Sequence, residues 1–388
     1  MRILSFGDIH IGTECDPDIR EAAKKIAATA AEEQPDLIVI TGDVYDGESS
    51  PGDRELSRDI VTMMADISPV RIIKGNHDTR KDLLILGSLK ANFPITVHEQ
   101  PFCSEYRVQD GDPVFIHYLP WLTKAAWVAG QVGIDMGITA GNEAVSLLAL
   151  QYLKIQISKR GPGKHLLYAH LMISGSRAEN HQPLLGEGIT FGYHDLVEAG
   201  FCGGAFGHIH LAQEFGNQAE GSPEFRYNGA IAALNYGESA RNKTFSILDT
   251  ESLTTRTFVI DSIARINLNA SWGAAGLEWA DPELLPTESG ARVKVKLLID
   301  EGFSSDDAEA AVRSYPGIVD PLELKVERQS KPRDTVRSQE IAAAKTACQK
   351  LEAYWAATQS TPDEPMRTQM LNITLEAETE CSTKIDRK

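Results

Sequence analysis

Five apolar runs in this chain end in the same kind of place. Val70-Arg71-Ile72-Ile73 runs into Lys74-Gly75-Asn76-His77-Asp78, and Arg2 to Phe6 runs into Gly7-Asp8-Ile9-His10. Asp36 to Ile40 leads to Thr41-Gly42-Asp43-Val44-Tyr45-Asp46, His165 to Ala169 stops at His170, and Cys202 to Phe206 stops at Gly207-His208-Ile209-His210. A β-branched run bounded by glycine reads as a strand covered on both faces. One such ending would be an ordinary turn, since Gly, Asn and Asp dominate turns. Repeated in five strands, the pattern puts Asp, Asn and His where α/β sheets collect functional groups, with glycine letting the backbone turn sharply and approach a ligand.

Helical periodicity fills the gaps. Asp16-Pro17 reads as a helix start, and Ile19, Ala22, Ala23, Ile26, Ala27 and Ala30 recur at helical spacing. Leu56, Ile60, Met63, Met64 and Ile67 form a second helix, Leu83 to Leu89 a third, and Asn142 to Lys159 a fourth. Strands alternating with helices imply βαβ units with parallel pairing. From Gln213 to Ile260 the runs shorten and are divided by turn residues, which implies antiparallel strands. The expected fold class is α/β: a two-sheet sandwich flanked by helices over residues 1–262, a small α+β capping domain over 263–330, and a linker with C-terminal helices over 331–388.

Composition narrows the class of protein. Hydrophobic residues make up 42% and charged residues 24% of the 388, and no apolar run approaches the roughly 20 residues that span a bilayer, so no membrane is expected. Five scattered cysteines fit reduced thiols better than a disulfide framework. Met1-Arg2 leads straight into a strand, and the expected location is the cytoplasm. The net charge of −17 opposes passive adhesion to nucleic acid, although bound dications would reverse the field locally.

Asp8, His10, Asp43, Asn76, His170, His208 and His210 combine oxygen and imidazole donors without a thiolate. That mixture suits Mn²⁺, Fe or Zn²⁺ and is too rich in nitrogen for Ca²⁺. Seven ligands are too many for one ion and suit two that share a carboxylate, the arrangement that clamps both oxygens of a displacement at phosphorus. The chemistry expected is phosphoester hydrolysis.

The order D-x-H, G-D-x-x-D, G-N-H-D, a lone His and G-H-x-H resembles the calcineurin-like metallophosphoesterase superfamily. Within it, Ala169-His170 followed by Gly175, and Arg226-Tyr227-Asn228-Gly229-Ala230 with Glu238 beyond, resemble SbcD-type nuclease subunits. Ala230 replaces the usual serine, and Asp46 stands where dimeric relatives often carry histidine. The resemblance implies one Mn²⁺ on Asp8, His10, Asp43 and His210, a second on Asp43, Asn76, His170 and His208, and Asp43 as the bridge. It implies His77 as general acid, with Asp78 as its orienting partner. It further implies a DNA substrate, a homodimer built on the helices around Leu56 to Ile67 and Leu83 to Leu89, and an SMC-like ATPase held by two C-terminal helices. Those helices carry Ile341, Ala344, Cys348, Leu351 and Trp355, then Met366, Met370, Ile373 and Ala377. A phosphodiesterase for a small nucleotide and a non-catalytic scaffold are the alternatives. Among other residues, Arg177 and His181 are the ones expected nearest a substrate, and His98, His117, His165 and His194 are expected to be structural.

Overall fold

The computed structural model describes residues 1–13, 15–107, 111–121, 142–178, 190–217, 221–238, 243–286, 291–316, 318, 322–328, 344–358 and 361–385. Strands and helices alternate at first: β1 (Arg2–Phe6), α1 (Asp16–Glu33), β2 (Leu37–Ile40), α2 (Pro51–Ala65), β3 (Val70–Ile73), α3 (Arg80–Leu86) and β4 (Ile95–His98). The four strands pair in parallel, with Leu4 opposite Ile38 and Ile40 opposite Ile72. α2 begins on a reciprocal cap in which Asp53 N–H donates to Ser50 Oγ and Ser50 N–H donates to Asp53 Oδ2. In α1, Asp16 is already helical instead of capping the helix from outside, and its carboxylate accepts from the Gly12 and Thr13 amides, tying down the loop that follows β1.

The chain continues through β5 (Phe102–Tyr106), β6 (Val114–Leu119), α4 (Asn142–Arg160), β7 (Lys164–His170), β8 (Met172–Ile173), β9 (Thr190–Phe191), α5 (Tyr193–Ala199) and β10 (Phe201–Gly207). Then come β11 (Gln213–Phe215), β12 (Glu224–Tyr227), β13 (Thr244–Asp249) and β14 (Thr255–Val259). One six-stranded sheet has the order β14-β13-β1-β2-β3-β4, and the other β11-β12-β10-β7-β6-β5. The expectation of antiparallel strands beyond residue 213 needs one correction. β13 pairs antiparallel with β1 and β14, but β12 runs parallel to β10. The β11–β12 hairpin docks as a unit with β12 innermost, and short strands carry no signal of which neighbour they will meet.

Alternation along the strands builds four layers. Ile3, Leu37, Val39 and Ile73 face Ile116, Leu166, Tyr168 and Ala205 between the sheets. Leu4, Phe6, Ile38 and Ile40 turn the other way and pack on Ile19, Ala23, Ile60 and Met64 of α1 and α2. On the far side, Leu167, Ala169 and Phe206 meet Val145, Ala149 and Leu153 of α4 and Leu196 of α5. The two-sheet sandwich flanked by helices is therefore present.

Beyond it lie β15 (Arg265–Gly273), β16 (Gly276–Trp279), β17 (Arg292–Ile299), α6 (Ser305–Arg313), β18 (Leu322–Arg328), α7 (Ala347–Thr358) and α8 (Glu364–Ile385), with a sheet of order β16-β15-β17-β18. The chain divides into two compact units, one of residues 1–270, 279–296 and 309–325, the other of 271–278, 297–308 and 326–388. In the first, the buried Asp18 carboxylate takes Arg265 at 3.0 Å and Arg292 at 2.9 Å. In the second, Arg367 of α8 reaches Glu352 of α7 at 3.0 Å, while Met366, Met370 and Ile373 stay exposed. Ile341 and His181 lie outside the described residues. No described helix is long and apolar enough to cross a membrane.

Two buried imidazoles make the fold acid-sensitive. Burial, with help from His165, pushes His117 down to about 3, and burial beside Arg71 pushes His98 down to about 4. The unfolded chain therefore binds protons first as pH falls below 6.5, and stability drains away between about pH 6.5 and 4. Denaturant midpoints compared at pH 7.5 and 5 should fall less in His117→Gln than in the parent protein. An equal fall in both would acquit this histidine.

Candidate metal centre

The loops after β1, β2, β3, β7 and β10 meet at one end of the sandwich, and the meeting strains them. Among the described residues, six that are not glycine have positive φ, and Asp8 (50°), His10 (54°), Asp43 (50°) and His208 (101°) are four of them. Such backbone costs on the order of 1–3 kcal/mol per residue and persists only where surroundings enforce it. The glycines show how tight the packing is. A Cβ on Gly75 would fall 2.1 Å from Asp43 Oδ1, and one on Gly207 would fall 2.3 Å from the Thr41 carbonyl oxygen. The loops also hold each other's carboxylates: His208 N–H donates to Asp8 Oδ1 and His77 N–H to Asp43 Oδ1, both at 2.8 Å.

The structure brings together all seven residues singled out as ligands. Asp8, His10 and His210 offer donor atoms within 4.8 Å of one another, and so do Asp8, Asp43 and His170. Asn76 Oδ1 lies 2.8 Å from His170 Nε2 and 2.9 Å from His208 Nδ1. His10 Nε2 lies 3.1 Å from His210 Nε2 and 3.6 Å from Asp43 Oδ2.

Outer partners decide which nitrogens carry protons. His10 Nδ1 faces Asp46 Oδ1 at 3.0 Å, His210 Nδ1 faces Glu238 Oε1 at 2.9 Å, and His170 Nδ1 faces the Thr41 carbonyl at 2.8 Å. Each partner only accepts, so each Nδ1 is the donor and each Nε2 presents a lone pair inward. The two inward nitrogens of His10 and His210 thus point lone pairs at each other, and that of His170 points at Asn76 Oδ1 and, from 3.3 Å, at Asp43 Oδ2. Acceptors facing acceptors across this space attract a cation, and the mix of carboxylate, amide and imidazole fits divalent ions of the Mn²⁺, Fe or Zn²⁺ kind.

The electrostatics agree. Burial works against a charged His170, yet Asp43 and Asp8 raise it to about 9. Burial likewise opposes the His210 imidazolium, and the Glu238 hydrogen bond raises it nonetheless. Burial alone would raise Asp43, but His170 and His10 hold its carboxyl far below the usual range. His208, by contrast, is pushed down to about 4 by burial and by His170.

Two positions differ from the reading of the sequence. Asp78 does not orient the His77 ring. Its carboxylate, fully buried and pushed up to about 6 by that burial and by Asp43, accepts from the Tyr45 and Gly75 amides at 3.0 and 2.8 Å and so fixes the loop instead. The ring of His77, exposed at the surface of the cluster, is held by Asp46, whose Oδ1 lies 3.0 Å from His77 Nδ1 and also serves His10. The aspartate next in sequence turns inward while the histidine turns outward, and the residue that reaches the ring comes from another loop. Trp121, which belongs to no motif, also borders the centre; its ring lies 4.8 Å from that of His208 and 6.0 Å from that of His170. So does Lys243 at one remove, wholly buried and bonded to Glu238 at 2.7 Å. Arg177 is placed by its own amide on Gln213. His98, His117 and His165 are buried away from the centre, and His194 is exposed.

The chain Lys243–Glu238–His210 yields a measurable expectation. Glu238→Gln leaves the side chain's shape but weakens its hold on the His210 Nδ1 proton, and divalent-metal affinity should drop by about 10–100-fold in equilibrium titration. Unchanged affinity and stoichiometry would remove Glu238 from the support of the centre.

Known proteins share these motifs. Residues 1–212 match the family model of the calcineurin-like phosphoesterases. SbcD, the smaller-lettered partner in the name of the nuclease SbcCD of Escherichia coli K12, is 26% identical over 262 residues, 63% of this chain and 63% of that protein, and its counterpart in strain O157:H7 gives the same figures. The chain thus matches less than two thirds of the length of these curated relatives. Among solved structures, a dimetal phosphatase from Danio rerio is similar at a TM-score of 0.42 and 12% identity, over 67% of this chain and 99% of that one. The protein TT1561 of Thermus thermophilus gives 0.40 and 13%, over 67% and 98%. With the motif-bearing half of its length inside the family model, the chain belongs to the calcineurin-like phosphoesterases, metal-dependent hydrolases of phosphate esters.

Proposed function

We propose that the chain is the nuclease subunit of a DNA-processing complex, cleaving phosphodiesters with two Mn²⁺ ions and acting with an SMC-like ATPase. The observation that carries the metal assignment is the ring of inward-facing acceptors in the centre. In this reading Asp8, His10, Asp43 and His210 hold one ion and Asp43, Asn76, His170 and His208 the other, with Asp43 shared. When bound, the ions supply positive charge for the phosphodiester oxygens and activate water at neutral pH. The remaining work belongs to the side chains. His77, exposed and pinned at Nδ1 by Asp46, presents Nε2 outward and delivers a proton to the leaving oxygen. Asp78 keeps the loop of Asn76 and His77 in place through the Gly75 and Tyr45 amides.

The choice of DNA and of the ATPase rests on the SbcD resemblance. Residues 1–262 are proposed as the nuclease domain, 263–330 as a capping domain, and 331–388 as a linker with ATPase-gripping helices. The exposed Met366, Met370 and Ile373 support the last assignment, and exposed Leu84 and Ile85 on α3 support a homodimer.

His77→Ala should abolish turnover and leave both metals bound, whereas Asp43→Ala should lose metal along with activity. Metal analysis of the purified variants separates these, and metal loss in His77→Ala would make His77 a ligand. Labelled hairpin and double-stranded DNA should be cut with Mn²⁺ and only weakly with Mg²⁺, because four imidazoles disfavour a hard ion. Full activity in manganese-free Mg²⁺ would defeat the Mn²⁺ assignment. Turnover confined to small nucleotide diesters would defeat the nuclease reading.

A further inference from the structure

A second polar site lies apart from the strand-end cluster, at the margin of the sandwich where the edge strands β4 and β5 border the two sheets. Arg71, His98, Phe102 and Tyr106 line a cavity of ≈ 580 Å³ there, within the range that holds small ligands. Arg71 stands opposite Thr96 in the β3–β4 register, and its Nη1 donates to Thr96 Oγ1. That bond fixes the guanidinium in plane. Its Nε is nonetheless buried with no acceptor, and the carboxylate in the lining, Glu105, is paired with Arg107 at 2.8 Å.

Unmet polar groups are concentrated around it. His98 Nε2 and the hydroxyls of Tyr106 and Tyr118 are also buried without hydrogen-bond partners, though His98 is only 6% and Tyr118 only 1% exposed. Leaving one such group unpaired costs about 1–3 kcal/mol, and native proteins rarely tolerate several in one place unless something else fills them. The same wall is aromatic. His98 lies nearly parallel to Phe102, 16° apart at 5.1 Å, and to Tyr118, 10° apart at 4.4 Å. Phe102 keeps 52% of its surface exposed, which leaves an open flank on this aromatic wall.

These features ask for an oxyanion and a flat ring together. The Nε edge of a guanidinium pairs with phosphate oxygens, hydroxyls add donors, and an exposed aromatic face stacks a base irrespective of its sequence. We propose that this margin binds a nucleoside monophosphate unit, its phosphate on Arg71 Nε and the tyrosine hydroxyls and its base against Phe102. In a chain of net charge −17, an unneutralised guanidinium beside three unmet polar groups is a specific anion site, because the average surface repels anions. The unit is offered equally by a free mononucleotide and by the phosphorylated end of a DNA strand. The inference stands independently of the nuclease reading.

The test is calorimetric titration of the full-length protein with AMP, once with Mn²⁺ and once with EDTA. Saturable binding of equal strength in both buffers is expected. Arg71→Met and Phe102→Ala should each weaken it by about tenfold or more, and adenosine and inorganic phosphate should each bind at least about tenfold more weakly than AMP. Phe102 is half exposed, so its replacement leaves the fold intact even if that of Arg71 does not. A 5′-phosphorylated oligonucleotide that binds more tightly than AMP would identify a strand end as the source; a weaker one would identify the free nucleotide. The proposal is overturned by no saturable binding at millimolar AMP, by binding that vanishes in EDTA, or by binding indifferent to Phe102→Ala.

Discussion

The centre of this protein depends on holding like against like. Lone pairs of His10, His210 and His170 and the oxygens of Asp43 and Asn76 are pressed toward one another in a buried space, an arrangement no unfolded chain would choose. Two things enforce it. The sheets set the spacing of five strand ends, and outer groups that only accept (Asp46, Glu238 and the Thr41 carbonyl) turn each imidazole so that its basic nitrogen looks inward. The strained backbone at Asp8, His10, Asp43 and His208 is the local cost, offset by the packed layers on either side. A site of this kind is pre-organised before any ion arrives, since the rotations that would relieve the repulsion are blocked by those outer bonds.

Much of this is legible in the order of residues. Runs such as Leu37 to Ile40 are short, β-branched and stopped by glycine, and periodicity alone separates them from the helices between; the seven proposed ligands stand out because each sits at such a stop. What stays hidden lies in pairings between distant loops. Nothing local shows that Asp46, rather than the neighbouring Asp78, holds the His77 ring, because i and i+1 side chains diverge while the ends of β2 and β3 converge. The direction of β12 is equally hidden, as a four-residue strand has a hydrophobic pattern that suits either neighbour. β5 carries Phe102 outward and Cys103 inward on an edge strand, too weak an alternation to announce itself.

The acidic balance of the chain is put to use around the centre. Glu238, buried between His210 and Lys243, stays ionised because both neighbours outweigh its burial, so its charge is committed to orienting a ring. Asp43 and Asp8 serve the same inner space. A polyanionic substrate would meet these carboxylates as repulsion in the bare protein and as an attractive surface once dications are in place, which couples recognition to metal loading through elementary Coulomb terms.

One oxygen atom, Asp46 Oδ1, stands 3.0 Å from both His10 Nδ1 and His77 Nδ1. A single acceptor shared by two rings cannot serve both at full strength: electron density drawn toward one is withdrawn from the other. If His10 hands its inner nitrogen to an ion, its outer N–H becomes more acidic and claims more of that oxygen, and the ring of His77 is left a weaker base and a readier donor. On the proposed assignment, the acid would be tuned by the same event that arms the nucleophile, with no backbone movement required. An empty centre would hold its proton back.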